Sequence, residues 1–472
     1  MLPLTPANNW TPTVLFCGGS DMPDEYWGNY SFPNYNTWTY PASADCQRIT
    51  PEPQDGSTPV YVQDDNMLEG RTMGQFITLP DGTLLVVNGG QNGTAGYAQA
   101  TGQTPSFNLM PYGESLASGP VGTPAIYNPN MPSGSRWSNA GLASSNIARL
   151  YHSSAMLLPD ASVLIAGSNP NVDVNTSTIF PTTYTAEIFY PPYFSASVRP
   201  KPTGMPSTLT YGGSYFNVTV PSSSYSGSAN AAASNTTVIL SRGGFTTHAM
   251  NMGQRFLQLN NTYTVNSDGS YVLHVAQVPP NANLLTPGPC LMFVVVDGIP
   301  SNGTMVIVGN GQIGTQPITT VSDLPSSVQN ANAQGGQGSQ SDSGSSSNTG
   351  VIVGAVVGVI AALGIIGAAV GIVAARRRRA ASRQHPSASY AMGATRAGFG
   401  SSGAAALSRH GTEARNSNSS AFVPLQQDNA SMAWNASTVS LQSSYRDDYD
   451  GRPPYDPYNS ESIGRSSSGQ RL

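Results

Sequence analysis

The chain has 472 residues, with 50 Gly and 37 Pro but only 10% charged side chains, a Gly and Pro content above the roughly 12% of average usage. Residues 1–350 carry 8 basic against 18 acidic side chains and residues 351–472 carry 12 against 7, for a net charge of −5. No basic stripe marks the folded part, which excludes a nucleic-acid binder, and three Cys exclude a disulfide-dense scaffold.

Taken in chain order, residues 1–197 read as short strands between Gly, Pro and Asn turns. Strand-then-glycine units recur at Thr13–Gly19, Thr83–Gly90 and Ser162–Gly167. The last two extend to a longer match, LPDGTLLVVNGG from Leu79 and LPDASVLIAGS from Leu158, 79 residues apart. An apolar strand closed by Gly-Gly at such a period predicts a partial kelch-type β-propeller of about four blades. A Pro-rich hand-over, Thr185 to Pro202, leads into residues 198–318, where seven or so short alternating strands predict an immunoglobulin-like β-sandwich. The fold class is therefore all-β. Residues 319–350 are Ser/Gly-rich and read as a flexible stalk.

Val351 to Ala375 is a run of 25 uncharged residues, followed at once by Arg376 to Arg379. A helix of that length crosses a hydrocarbon core of about 30 Å, and the basic cluster marks its cytoplasmic end. This predicts one transmembrane helix, 351–375, a plasma-membrane location, an extracellular N-terminal region and a cytoplasmic tail, 376–472, whose polar composition predicts disorder. The pairs Gly354/Gly358 and Gly367/Gly371 are compatible with helix–helix pairing. The sequons at Asn9, Asn29, Asn92, Asn175, Asn217, Asn235, Asn260 and Asn302 suit an extracellular glycoprotein. The opening MLPLTPANNW has no signal-peptide pattern, so the orientation predicts a true N-terminus upstream.

Five His are present, and His385 and His410 fall in the tail. His274, on the apparent strand YVLHVAQ, reads as packed or solvent-facing. His152 and His248 lie in RLYHSSAMLLPDASVLIAGSNPN and GGFTTHAMNMGQRFLQL. These two stretches resemble the copper-site signatures of the glyoxal oxidase and galactose oxidase family of copper radical oxidases. The opening MLPLTPANNWTPTVLFCGGSD and TAEIFYPPYF resemble the glyoxal oxidase branch, and the likeness covers about residues 1–315. It implies a kelch propeller into whose axis the immunoglobulin-like domain inserts a His, and a single copper ion held by Tyr151, His152 and His248, with Tyr151 also the proton acceptor. Two imidazoles and a phenolate suit tetragonal Cu(II). Adjacent strand residues point to opposite faces, so Tyr151 and His152 can share an ion only on irregular backbone.

The family's Tyr–Cys radical cofactor is not encoded in this chain, because Cys17 in LFCGGS and Cys46 in ADCQRI lie in another context. In an oxidising compartment they read as a disulfide, leaving Cys290 free and buried. Tyr26, Tyr30 and Tyr40 read as packing or surface residues. The resemblance implies an oxidase that acts on a small aldehyde or alcohol, turning aldehyde into carboxylic acid while reducing O2 to H2O2; with the predicted span it is expected to be membrane-anchored and extracellular. As given, the chain is expected to be truncated at its N-terminus and inactive. The alternative is a non-catalytic cell-surface wall-binding or sensing protein built on the same ectodomain.

Overall fold

Among the described residues, twelve strands precede the sandwich: β1 (Val14–Cys17), β2 (Cys46–Ile49), β3 (Val62–Gln63), β4 (Gln75–Thr78), β5 (Leu84–Val87), β6 (Gly90–Tyr97), β7 (Pro111–Pro120), β8 (Ala125–Tyr127), β9 (Trp137–Ser138), β10 (Ser154–Leu157), β11 (Val163–Ala166) and β12 (Ala186–Tyr190). The computed structural model describes residues 1–22, 37–97, 111–247, 250–337 and 421–424. Three antiparallel meander sheets, β1-β2-β3, β4-β5-β8-β9 and β10-β11-β12, make up the first part. There are thus three blade-like sheets among the described residues. The ribbon β6-β7 is an excursion inside the second repeat.

The sequence repeat is a structural one. Asp81 Oδ1 accepts from Thr83 N at 3.0 Å and Oγ1 at 2.7 Å, and Asp160 Oδ1 accepts from Ser162 N at 3.0 Å and Oγ at 2.6 Å. The two turns put Gly82 and Ala161 at φ 85° and 70°. The glycine after the second repeat's strand is required sterically: at φ 90°, Gly89 would drive a Cβ to 2.2 Å from Thr72 O.

The sandwich has one sheet in the order 208–209, 304–308, 288–296, 236–242, 255–259, and a second in the order 216–220, 271–275, 261–265. Alternation explains its long apolar runs. Val238, Leu240, Met292, Val294 and Leu257 face the sandwich interior. Their neighbours Ile239, Phe293, Val295 and Phe256 face the other way, into a cluster with Ile77, Leu79, Leu85 and Val87 of the second sheet and Ala155, Val163 and Ile165 of the third. Both faces of this sheet are covered, so the sandwich is packed directly on the two sheets that carry the repeat.

Two expectations change. The first part of the stalk is not free: Ile318–Val321 pairs in parallel with Tyr211–Gly213, and Gly336–Gln337 pairs with Ser226–Gly227. Val328 N donates to Tyr263 O at 2.7 Å as well. Polar composition does not prevent a segment from satisfying exposed strand edges. Within the tail, Ala421–Pro424 forms a strand antiparallel to β12, with Phe422 opposite Phe189. The span 351–375, the glycine pairs and the rest of the tail lie outside the described residues. No helix among the described residues is long and apolar enough to cross a membrane.

Phe293 is fully buried where the sandwich meets the repeat sheets, and a Cβ on Gly303 would lie 2.7 Å from its ring. Phe293→Ala is expected to cost about 3–5 kcal/mol, read as a lowered denaturant midpoint, whereas a loss below about 1 kcal/mol would show that this contact does not fix the sandwich.

Candidate metal centre

Tyr151 and His152 follow a buried arginine at the entrance to the third sheet. Arg149 Nη2 pairs with Glu187 Oε2 at 2.9 Å, and the two side chains are 2% and 6% exposed. Its other donors reach Gly167 O at 2.7 Å and Thr185 O at 3.1 Å. Ser145 Oγ adds a 2.9 Å hydrogen bond to Glu187. Arg149 therefore ties the segment to β12 and to the loop leaving β11.

The same loop shapes the next three residues. Ser168 Oγ accepts from Leu150 N at 3.0 Å, Asn169 N donates to Tyr151 O at 2.8 Å, and His152 Nδ1 lies 3.0 Å from Asn169 O. His152 adopts φ 62°, a left-handed conformation that non-glycine residues rarely take. That conformation resolves the geometric difficulty. The turn brings the two adjacent rings to one side, stacked with centroids 3.7 Å apart.

Donor chemistry fixes the imidazole. A carbonyl oxygen only accepts, so Nδ1 carries the proton and Nε2 keeps its lone pair, the tautomer a metal ligand requires. His152 is exposed and Tyr151 is 8% exposed. The Tyr151 ring packs in a small cluster with Met73, Ala117, Leu150 and Phe180. Burial pushes its phenol above the ordinary value, with Tyr97 adding to the rise. Tyr97, at the end of β6, stands 6.2 Å from the Tyr151 ring and 6.5 Å from His152.

The other His-bearing segment arrives from the sandwich as a hairpin, Phe245–Thr247 paired with Met250–Met252. It packs beside β10 and β4. Asn251 Nδ2 and Gln254 Nε2 donate to Phe76 O at 3.1 and 3.2 Å, and Thr78 N donates to Gln254 Oε1 at 2.9 Å. His248 and Ala249, between the two strands, lie outside the described residues, as do Tyr26, Tyr30 and Asn29. No group of three or more His, Cys, Asp or Glu that could hold a metal occurs among the described residues.

Cys17 and Cys46 face each other in the β1–β2 register and form a disulfide. Cys290 is free and buried, and burial pushes its thiol up. Tyr40 donates to Asp21 O. His274 is held by Asn217 Oδ1 at 2.8 Å and Thr264 Oγ1 at 3.0 Å, away from the site. Asn9, Asn217, Asn235, Asn260 and Asn302 are exposed, whereas Asn92 and Asn175 are half-buried. Sequence reading missed Asn169, Tyr97 and the Arg149–Glu187 pair. Arg149 and Asn169 stand inside the same motif as His152; Tyr97 and Glu187 carry no local signal.

Arg149→Met is expected to cost about 3–5 kcal/mol, because it strands the buried Glu187 carboxylate; the double change Arg149→Met with Glu187→Leu should recover most of that in thermal unfolding.

The Glyoxal oxidase N-terminus family model matches residues 1–193. The Galactose oxidase-like, Early set domain model matches residues 199–308. Aldehyde oxidase GLOX1 of Arabidopsis thaliana is 33% identical over 300 residues, 62% of this chain and 43% of that protein. Aldehyde oxidase GLOX of Vitis pseudoreticulata is 33% identical over 292 residues, 61% of this chain and 48% of that protein. Galactose oxidase of Gibberella zeae is 28% identical over 244 residues, 50% and 29% of the two chains. A solved fungal alcohol oxidase of the AA5 family, in complex with copper, aligns with a TM-score of 0.44 at 18% identity over 65% of this chain and 53% of that one, too weak a likeness to carry an argument. The chain spans less than half the length of the curated relatives it matches. It carries, in order, a glyoxal oxidase N-terminus match and a galactose oxidase-like early-set match, and its relatives include aldehyde oxidases and galactose oxidases.

Proposed function

We propose that the folded unit is the copper-binding portion of a glyoxal-oxidase-like copper radical oxidase, with Tyr151, His152 and His248 as ligands. The left-handed turn at His152 carries this reading, since it sets a phenol and a tautomer-fixed imidazole of neighbouring residues side by side. An imidazole protonated at Nδ1 and an adjacent phenol are donor types that fit Cu(II). Copper, when bound, would supply one-electron chemistry and favour the ionised phenolate against the burial that disfavours it. Tyr151 would then take the proton lost by an aldehyde hydrate or alcohol. Asn169 holds the imidazole, and the apolar cluster around Tyr151 keeps water from its ring.

The two-electron reaction of the family needs a second one-electron carrier, a tyrosine linked to cysteine. All three cysteines of this chain are otherwise placed: two form a disulfide and Cys290 is buried in the sandwich core. That placement supports copper binding without turnover in residues 1–472. It also supports the second reading, a non-catalytic surface protein using the same domains. Copper titration is expected to give one site, abolished by His152→Ala and by His248→Ala, with Tyr151→Phe retaining most copper. No aldehyde-dependent H2O2 should form above a protein-free control. Full copper in His152→Ala would overturn the site, and turnover by the chain alone would overturn the account of its cysteines.

We further propose that residues 351–375 anchor the chain with the tail cytoplasmic. A tail across a membrane could not pair with β12, so the two arrangements exclude one another. Thirteen of the 25 residues are Val, Ile or Leu; at about −0.3 to −0.6 kcal/mol each, they favour insertion by about 4–8 kcal/mol. A four-residue edge strand gains about 0.5–1.5 kcal/mol per hydrogen bond and loses about 1–2 kcal/mol of backbone entropy per residue, so it does little to oppose insertion. Protease added to intact cells should spare an epitope placed after Arg379; its loss would favour the strand on β12.

A further inference from the structure

Gln75, the first residue of β4, is fully buried. Its Nε2 donates to Ser153 O and lies 3.3 Å from Ser153 Oγ. The orientation of the carboxamide is fixed by chemistry: Ser153 O can only accept, so the nitrogen must face it. Ser153 is 4% exposed and directly follows His152. With Asn169 on the other side, it pins the left-handed turn.

The next residue along the same strand holds the other half of the site. Phe76 O accepts from Asn251 Nδ2 and Gln254 Nε2, the polar side chains that anchor the sandwich hairpin. Two consecutive residues of β4 thus grip the two segments that carry His152 and His248. Side chains of consecutive strand residues leave on opposite faces while backbone carbonyls lie in the sheet plane, so one strand can hold a turn by a side chain and a hairpin by a carbonyl. The carbonyl end of Gln75 supplies a second, independent sign of specialisation. Its Oε1 is buried and has no hydrogen-bond partner among the described residues. An orphaned buried acceptor destabilises the fold, and an apolar side chain of the same size would avoid that cost.

We propose that Gln75 is a positioning residue for the copper site: through Ser153 it sets the His152 imidazole at a fixed distance from the hairpin that Phe76 holds. This rests on the copper reading above. Gln75 touches neither the metal nor the substrate, so its effect belongs in metal affinity and ligand-field geometry.

The test uses the chain of residues 1–472 and Cu(II) alone. Gln75→Met keeps the volume and removes the donor. Gln75→Glu keeps the shape and sets an acceptor against Ser153 O. Each is expected to weaken Cu(II) binding by about tenfold or more, the range of outer-shell changes, and to change the Cu(II) hyperfine splitting in the paramagnetic resonance spectrum. Asp160→Ala, which breaks the β10–β11 turn without touching the site, serves as the stability control. It should lower the midpoint of metal-free unfolding while leaving affinity and splitting as in the parent chain.

Unchanged affinity and splitting in Gln75→Met overturns the proposal, as does an equal loss in Asp160→Ala. If Gln75→Met does not fold, Gln75→Glu decides by the same two readouts. His152→Ala separates the two levels. If it retains parental copper affinity, the copper reading itself fails. If it loses copper while the Gln75 variants do not, only the role of Gln75 falls.

Discussion

The apolar seam between the sandwich and the two repeat sheets is the contact on which the rest depends. Ile239, Phe256, Phe293 and Val295 enter it from one side and Ile77, Leu85, Val87, Val163 and Ile165 from the other. Each such side chain, fully buried, contributes about 1.5–3 kcal/mol. Without that seam the hairpin 245–252 would have no fixed relation to β4 and β10, and the two segments whose histidines resemble copper ligands would belong to separate bodies.

On this frame the site is built from constraints that oppose local preference. His152 sits in a backbone conformation that costs an L-residue roughly 1–2 kcal/mol. Three elements hold it there: the Arg149–Glu187 pair beneath, the loop Ser168–Asn169 beside it, and Gln75 behind Ser153. A backbone kept in a rare conformation by surrounding hydrogen bonds is where function is expected. The buried Arg–Glu pair is weak as a source of net stability, but it gives the entry to the turn one geometry.

Under the proposed copper reading, the positions of the cysteines separate metal binding from turnover. The disulfide closes β1 on β2, away from the Tyr151 turn, and the free thiol lies inside the sandwich. The sulfur a tyrosine thioether would need is therefore engaged or enclosed. Nothing in the geometry of Tyr151 and His152 depends on it, so metal binding and turnover are separable properties, measurable on their own.

Much of this was legible in the sequence. Alternation and Gly-Gly punctuation gave the all-β class, because period-2 burial and the turn chemistry of LPDG and LPDA are local properties. The pairing of Cys17 with Cys46 followed from compartment and count, whereas Tyr151, His152 and His248 were singled out as copper residues by motif resemblance alone. The tertiary structure decided the rest. The left-handed φ of His152 depends on Ser168 and Asn169, 16 and 17 residues on, and on Gln75, 77 residues before. The run CLMFVVVD announced burial but not that its alternate residues serve two different cores, one inside the sandwich and one against the repeat sheets. Nor did composition reveal that the Ser/Gly-rich stretch after residue 318 lies along strand edges. Hydrogen bonding to an exposed edge uses the backbone, which every residue has, and so it leaves no mark in the choice of side chains.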